Sequence, residues 1–133
     1  MKSTSFLVLV AAALAIANPG WAKPNEPAPI GVAKYKGEDL PVFETRQVMP
    51  LSAENPRYPD EQAAQHTEGQ ATIVVVIDVE GKVIEADIKE SKPVPAFGVA
   101  AQAAVRKWRW PKVTHHGQPT KYIVQQVVAF DIH

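Results

Sequence analysis

The chain has 133 residues, with 14 basic and 14 acidic side chains and no cysteine. This balance excludes the basic excess of a protein that lives by neutralising phosphate backbones. The missing cysteine excludes disulfides, thiolate metal sites, a thiol nucleophile and a cysteine-borne lipid.

Lys2 is followed by an uninterrupted apolar run, Phe6 to Ala17, and then by Asn-Pro-Gly-Trp-Ala. A positive start, an apolar middle and small residues at Gly20 and Ala22 form the pattern of a secretory signal peptide over residues 1–22, cut after Ala22. The competing reading is an uncleaved inner-membrane anchor facing the periplasm, but a span takes about 20 apolar residues and this run stops well short before Pro19. The mature protein is therefore expected in a bacterial periplasm.

Residues 23–54 are rich in proline and mixed charge without a sustained period, which predicts a linker or loosely attached arm. Within it, Val42 to Val48 could form one short strand. From Asn55 the pattern sharpens. Pro59, with Asp60 and Glu61 behind it, starts a short helix that Gly69 is placed to stop. Ala71, Ile73, Val75, Ile77 and Val79 then fall on one face of a strand. Val74 and Val76 are apolar on the other face, so this strand is expected to be central and covered on much of both sides. Gly81 supplies a turn. The return strand, Val83 to Lys89, alternates Ile84, Ala86 and Ile88 with Glu85, Asp87 and Lys89.

The period then switches. Phe97, Ala101, Ala104, Val105 and Trp108 repeat at helical spacing behind Pro95, and Arg106 and Lys107 suit the last turn of that helix. The run "AVRKWRW" thus reads as a helix end whose Trp108 enters the core, with Trp110 lidding the same core, rather than as a grip on a ligand. A loop, Lys112 to Pro119, leads to a final strand. Tyr122, Val124, Val128, Phe130 and Ile132 share one face of it, and Gln126 interrupts that face. The predicted fold is α+β: a three-stranded antiparallel sheet with a helix packed on one face and a short N-terminal helix, leaving at least one sheet edge unpaired.

No chemistry of an enzyme is advertised. His66, His115, His116 and His133 lack metal-ligand spacing. Ser91 has no GxSxG or SxxK context. Asp78 and Glu80 flank a turn, where they solubilise, and no phosphate-cradling glycine loop exists. A non-enzyme without metal or other cofactor is expected.

The segment from Asn55 to the end resembles the C-terminal domain of the TonB family. "NPRYP" with "EGQ" beyond it is similar to that family's Tyr-Pro helix start and Glu-Gly strand start. "IDVEGKVIEADIKESKP" is similar to its Val-Asp-x-x-Gly-x-Val hairpin. "AAQAAVRKWRW", with "GQP" and "VAFDI" after it, is similar to its Arg-x-Trp-Arg-aromatic helix end, Gly-x-Pro loop and closing Phe strand. The resemblance implies a domain at 55–133. It also implies a periplasmic protein that binds outer-membrane receptors by strand addition to its sheet edge and supports energy-coupled uptake of siderophores, cobalamin and other scarce nutrients.

Carried over by position, the partner-facing residues are Asn55, Pro56, Arg57 and Tyr58, and along the closing strand Lys121, Tyr122, Ile123, Val124, Gln125, Gln126, Val127, Val128, Ala129 and Phe130. Further implied partners are an inner-membrane energising complex and, through the open edge, a second copy of the chain. The chain departs from the family's pattern in three places. Asn55 stands where the family often has Gln, one residue is missing between Trp110 and Pro111, and the apolar run lacks the functional histidine of energy-transducing members. The linker spans about 100 Å even as polyproline II, short for joining two membranes. The alternative reading is a stand-alone exported adaptor that binds another envelope protein, or itself, without energy transduction.

Overall fold

The computed structural model describes residues 26–132. The expected signal peptide and His133 lie outside them, and no helix among the described residues is long and apolar enough to cross a membrane.

The elements in chain order are β1 (Gly31–Tyr35), β2 (Glu38–Glu44), α1 (Asp60–Ala64), β3 (Gly69–Ile77), β4 (Val83–Lys92), α2 (Pro95–Val105), β5 (Val113–His115), β6 (Gln118–Thr120) and β7 (Tyr122–Phe130). The sheet is five-stranded in the order β1-β2-β7-β3-β4, and β5 and β6 form a separate two-stranded ribbon. The expected three antiparallel strands are its β7-β3-β4 part. β3 pairs antiparallel with β7 from Gly69↔Phe130 to Ile77↔Tyr122, and with β4 from Gln70↔Lys92 to Ile77↔Val83.

The expectation of three strands is corrected by residues 31–44, read as linker. Lys36 and Gly37, at φ 51° and 84°, make a two-residue turn of the kind that suits strand twist. It folds β1 back onto β2, and β2 then joins β7 in parallel through Val42↔Ile123, Phe43↔Val124 and Glu44↔Gln125. Pro41 has no N–H to donate, consistent with so short a ladder. The strand expected over Val42 to Val48 thus lies earlier, over Glu38–Glu44.

α2 packs against β3 and β4. Its Phe97, Ala101 and Val105 meet Ala71, Ile73, Val75 and Ile77 of β3 and Tyr122, Val124, Val128 and Phe130 of β7 in one buried core. The helix ends at Val105, so Arg106 caps it and Lys107 lies beyond. Ser91 serves the helix start, its Oγ accepting from the Gly98 amide at 2.8 Å. Trp108 and Trp110 are 6% and 2% exposed, which places both in the core as expected. The peptide between them is fixed on two sides. Arg109 N donates to Ser52 O, and Trp110 N donates to Gly81 O at 2.9 Å. Gly81 is needed there, because a Cβ would lie 2.1 Å from the Trp110 carbonyl and its φ is +89°.

Smaller expectations also shift. α1 stops with His66 in the left-handed region, and Gly69 begins β3 instead of stopping the helix. Val79 and Ile132 lie beyond their strands and are exposed. Register shifts in the β3–β4 ladder break the alternation expected for β4. Val83 packs against the core while Ile84 is 46% exposed; Ile88 keeps to the α2 side, beside Gly98, at its 39%-exposed margin.

Candidate functional site: the edge of the closing strand

β7 carries both the expected partner strand and the most telling departure. It was expected to present a bare border. Instead it lies between β3 and β2, with β2 alongside Ile123, Val124 and Gln125. The physical reason is a second apolar cluster on the sheet face away from α2. Leu40 and Val42 of β2 bury against Val76 of β3 and Ile123 of β7, with Ala33, Tyr35 and Val74 packed around them. Two polar contacts pin the hairpin at its turn end. Tyr35 donates its hydroxyl to Glu85 Oε1 at 3.1 Å on the far edge strand. Lys121 pairs with Glu38 at 3.2 Å.

Where β2 ends, side chains take over its role. Thr45 Oγ1 donates to the Gln125 carbonyl at 3.0 Å and accepts from the Val127 amide at 3.2 Å. One hydroxyl thereby fills the place of the next strand residue. One position further, Gln126 Nε2 donates to the Val127 carbonyl at 3.0 Å. Gln126 is only 6% exposed, and its Oε1 has no partner among the described residues, an unusual state for a buried amide. Beyond Val127 no described strand lies beside β7 on the side away from β3. There the chain end Ala129, Phe130 and Asp131 lines a cleft of about 250 Å³ together with Asn55, Pro56 and Tyr58.

Of the residues expected to face a partner, Asn55, Pro56, Tyr58, Ala129 and Phe130 meet at this cleft. Their side chains serve different ends. Tyr58 donates its hydroxyl to the Thr67 carbonyl. Its ring stands edge-on to Phe97 and Phe130, at 5.7 and 5.6 Å between centroids. Burial and the nearby carboxylates of Glu68 and Asp131 push that hydroxyl's pKa up. Arg57 is exposed and paired with Asp60 at 3.3 Å. Tyr122 is fully buried, donates to the Pro111 carbonyl at 2.7 Å, and burial raises its hydroxyl far above the ordinary value. Tyr122, Val124, Val128 and Phe130 point their side chains into the core and their main-chain groups at β3, so the main-chain groups left for a partner are those of the alternate residues, Val127 and Ala129 beyond the reach of β2.

Residue-type reasoning missed Thr45, Gln126's edge-capping role and the hairpin. It also missed Glu26, whose carboxylate accepts from Thr114 Oγ1 at 2.7 Å and from the His116 and Gly117 amides at 3.1 and 3.2 Å. That clamp joins the start of the described chain to the β5–β6 turn, where the His115 and His116 rings stack at 4.0 Å. A signal for the hairpin was present. Val74 and Val76 called for a cover on the face away from α2, and the predicted three-stranded fold supplied no element to give it.

Comparisons with known proteins agree with this architecture. Residues 54–132 match the family described as Gram-negative bacterial TonB protein C-terminal. Among solved structures, the solution NMR structure of the Pseudomonas aeruginosa TonB C-terminal domain aligns with a TM-score of 0.53 at 24% identity, covering 65% of this chain and 87% of that one. A comparison with curated proteins gave no match. The hairpin Gly31–Glu44 precedes the matched residues. With its matched segment forming both helices, the antiparallel strands β7, β3 and β4 and the ribbon of β5 and β6, the chain belongs to the TonB C-terminal domain family.

Proposed function

We propose that this protein is a periplasmic recognition module that takes up a short extended segment of an outer-membrane receptor by strand addition at the free half of β7, and so supports TonB-dependent uptake of nutrients such as siderophores. One observation carries the reading. In a chain of this family, the end of the closing strand has no described neighbour on the side away from β3 and shares a cleft with Asn55, Pro56 and Tyr58. Main-chain hydrogen bonds supply affinity in this mode, which accords with a site that has no polar catalytic constellation.

Titration with synthetic peptides from receptor N-termini tests it. Binding in the micromolar range is expected. Ala129→Pro should abolish it, because alternation turns the Ala129 amide away from β3, so the substitution removes a donor from the free edge alone. No binding at several hundred micromolar peptide would sink the reading.

A second reading, an exported adaptor that binds an envelope protein or itself without energy transduction, is favoured by one feature. Residues 26–54 are folded onto the domain through Glu26, the hairpin and the Ser52 and Glu54 contacts to the tryptophan segment, so they supply no spacer. Crosslinking in cells separates the two: capture of a receptor supports the first reading, and capture of other envelope partners alone supports the second.

A further inference from the structure

We infer that the β1–β2 hairpin stands in for a partner strand. It occupies the first half of the docking edge, and a partner that engages the whole edge does so by displacing it. This rests on the proposed use of β7 as the docking edge. It adds the competitor that controls access, and the kind of segment that fits.

Four observations converge. β2 holds β7 by three residue pairs, Val42 to Glu44, while β3 holds the other side of β7 along its full length from Tyr122 to Phe130. Thr45 closes the next stretch with a single hydroxyl. The unpaired end of β7 and the buried amide of Gln126, with its unpartnered Oε1, follow immediately, so an incoming strand has a landing place contiguous with the covered part. Finally, the hairpin lies before the residues that match the family, so it is an addition to the recognised domain, one whose Phe43 reaches into the helix-side core.

The way β2 is held describes what replaces it. The segment runs parallel to β7. It carries adjacent apolar residues in the places of Val42 and Phe43, the first against Val76 and Ile123, the second against Tyr122, whose ring centroid lies 5.8 Å from that of Phe43. Leu40, Val42 and Phe43 are buried, so the open form is a minor population, and the apparent affinity for a partner falls by that fraction. Anything that loosens the hairpin then tightens partner binding.

The test uses the full chain and a synthetic peptide of residues 38–46, Glu-Asp-Leu-Pro-Val-Phe-Glu-Thr-Arg, as the probe. Thr45→Val removes the latch hydroxyl from the protein while the peptide keeps its own threonine. Tyr35→Phe removes the contact to Glu85 at the far end of the hairpin without touching β7. Each variant should bind the peptide roughly two- to tenfold more tightly than the parent, the equilibrium weight of about one hydrogen bond. In the unsubstituted protein, native-state hydrogen exchange should show the Phe43 and Gln125 amides opening far more often than those of Val124 and Val128, which by alternation face β3.

The inference is overturned if folded variants bind no better than the parent, or if Phe43 and Gln125 exchange only with global unfolding. Receptor peptides that bind while the β2 peptide is excluded would remove this inference and leave the proposed function standing. Invasion by the β2 peptide with no receptor peptide bound would do the reverse.

Discussion

The sheet buries both of its faces, by unlike means. On one side, α2 and the tryptophan segment cover four strands with large, fully enclosed side chains: Trp110, Tyr122, Phe43 and Phe97. On the other, Leu40 and Val42 cover Val76 and Ile123, and the rest of that face opens into a polar groove lined by Thr72, Lys89, Gln125 and Val127. The first side is built mostly from residues of the family match, to which β2 adds Phe43. The second is a small local cover from a segment that precedes the family match. A domain can thus keep its architecture and change what its edge presents, because the edge is dressed by a few residues outside the family-matched segment that holds it.

Substitutions on the two sides should separate them. Trp108→Ala is expected to cost about 3–5 kcal/mol, from lost burial and the hydrogen bond that its Nε1 gives to the Glu54 carbonyl. Thermal unfolding checks it, and a fall in Tm of only a degree or two would break the scaffold side of the comparison. Leu40→Ala should cost about 2–3 kcal/mol, near the lower end for such truncations, because its pocket lies at the sheet margin. Hydrogen exchange should show that loss in β1, β2 and the outward amides of β7 before β3. A uniform loss would make the two faces one cooperative unit.

Acid sharpens the comparison further. The Thr114 hydroxyl, helped by the Gly117 and His116 amides, holds the Glu26 carboxyl below the usual carboxylate range, against the desolvation that raises it. Its contribution is present above the unfolded value and is lost as pH falls through the lowered folded one. Burial, then the charge on His116, lowers the His115 pKa, which acts in the same direction over a higher pH range. Acidification from neutrality should therefore loosen the β5–β6 turn in two steps, read as exchange of the Gly117 amide. Glu26→Gln should abolish the step at lower pH. The smallest effect belongs to Arg109→Ala, expected within about 0.5 kcal/mol, because its side chain is exposed and its main chain makes the bridges.

Much of the scaffold was legible in the sequence. Helical spacing located α2, period two located β3 and β7, and Trp108 followed from the stripe it continues. The family motifs pointed to the closing strand and to Asn55–Tyr58; of these, Asn55, Pro56 and Tyr58 share a cleft with only the end of the strand, Ala129 and Phe130. What could not be read was the hairpin. Its "GVAKYKGEDLPVFE" mixes proline, charge and apolar residues without a clean period, and its strands form because distant residues, Val76 and Ile123, require a cover. Gln126 was visible as an interruption of an apolar face. That its amide turns back to cap its own strand depends on the absence of a neighbour strand there, which no local pattern encodes.

Glu26 has a mechanical consequence. It is fastened to the β5–β6 turn, and five residues later the chain enters β1, whose first pair, Gly31↔Val42, sits at the open end of the hairpin. Traction on residue 26 would be resisted first by one carboxylate, next by the Gln47 amide on the Ala28 carbonyl and the Ile30 amide on the Val42 carbonyl, and then by the rungs of β1 against β2, parted singly in the manner of a zip. The mass beneath α2 would feel the pull last.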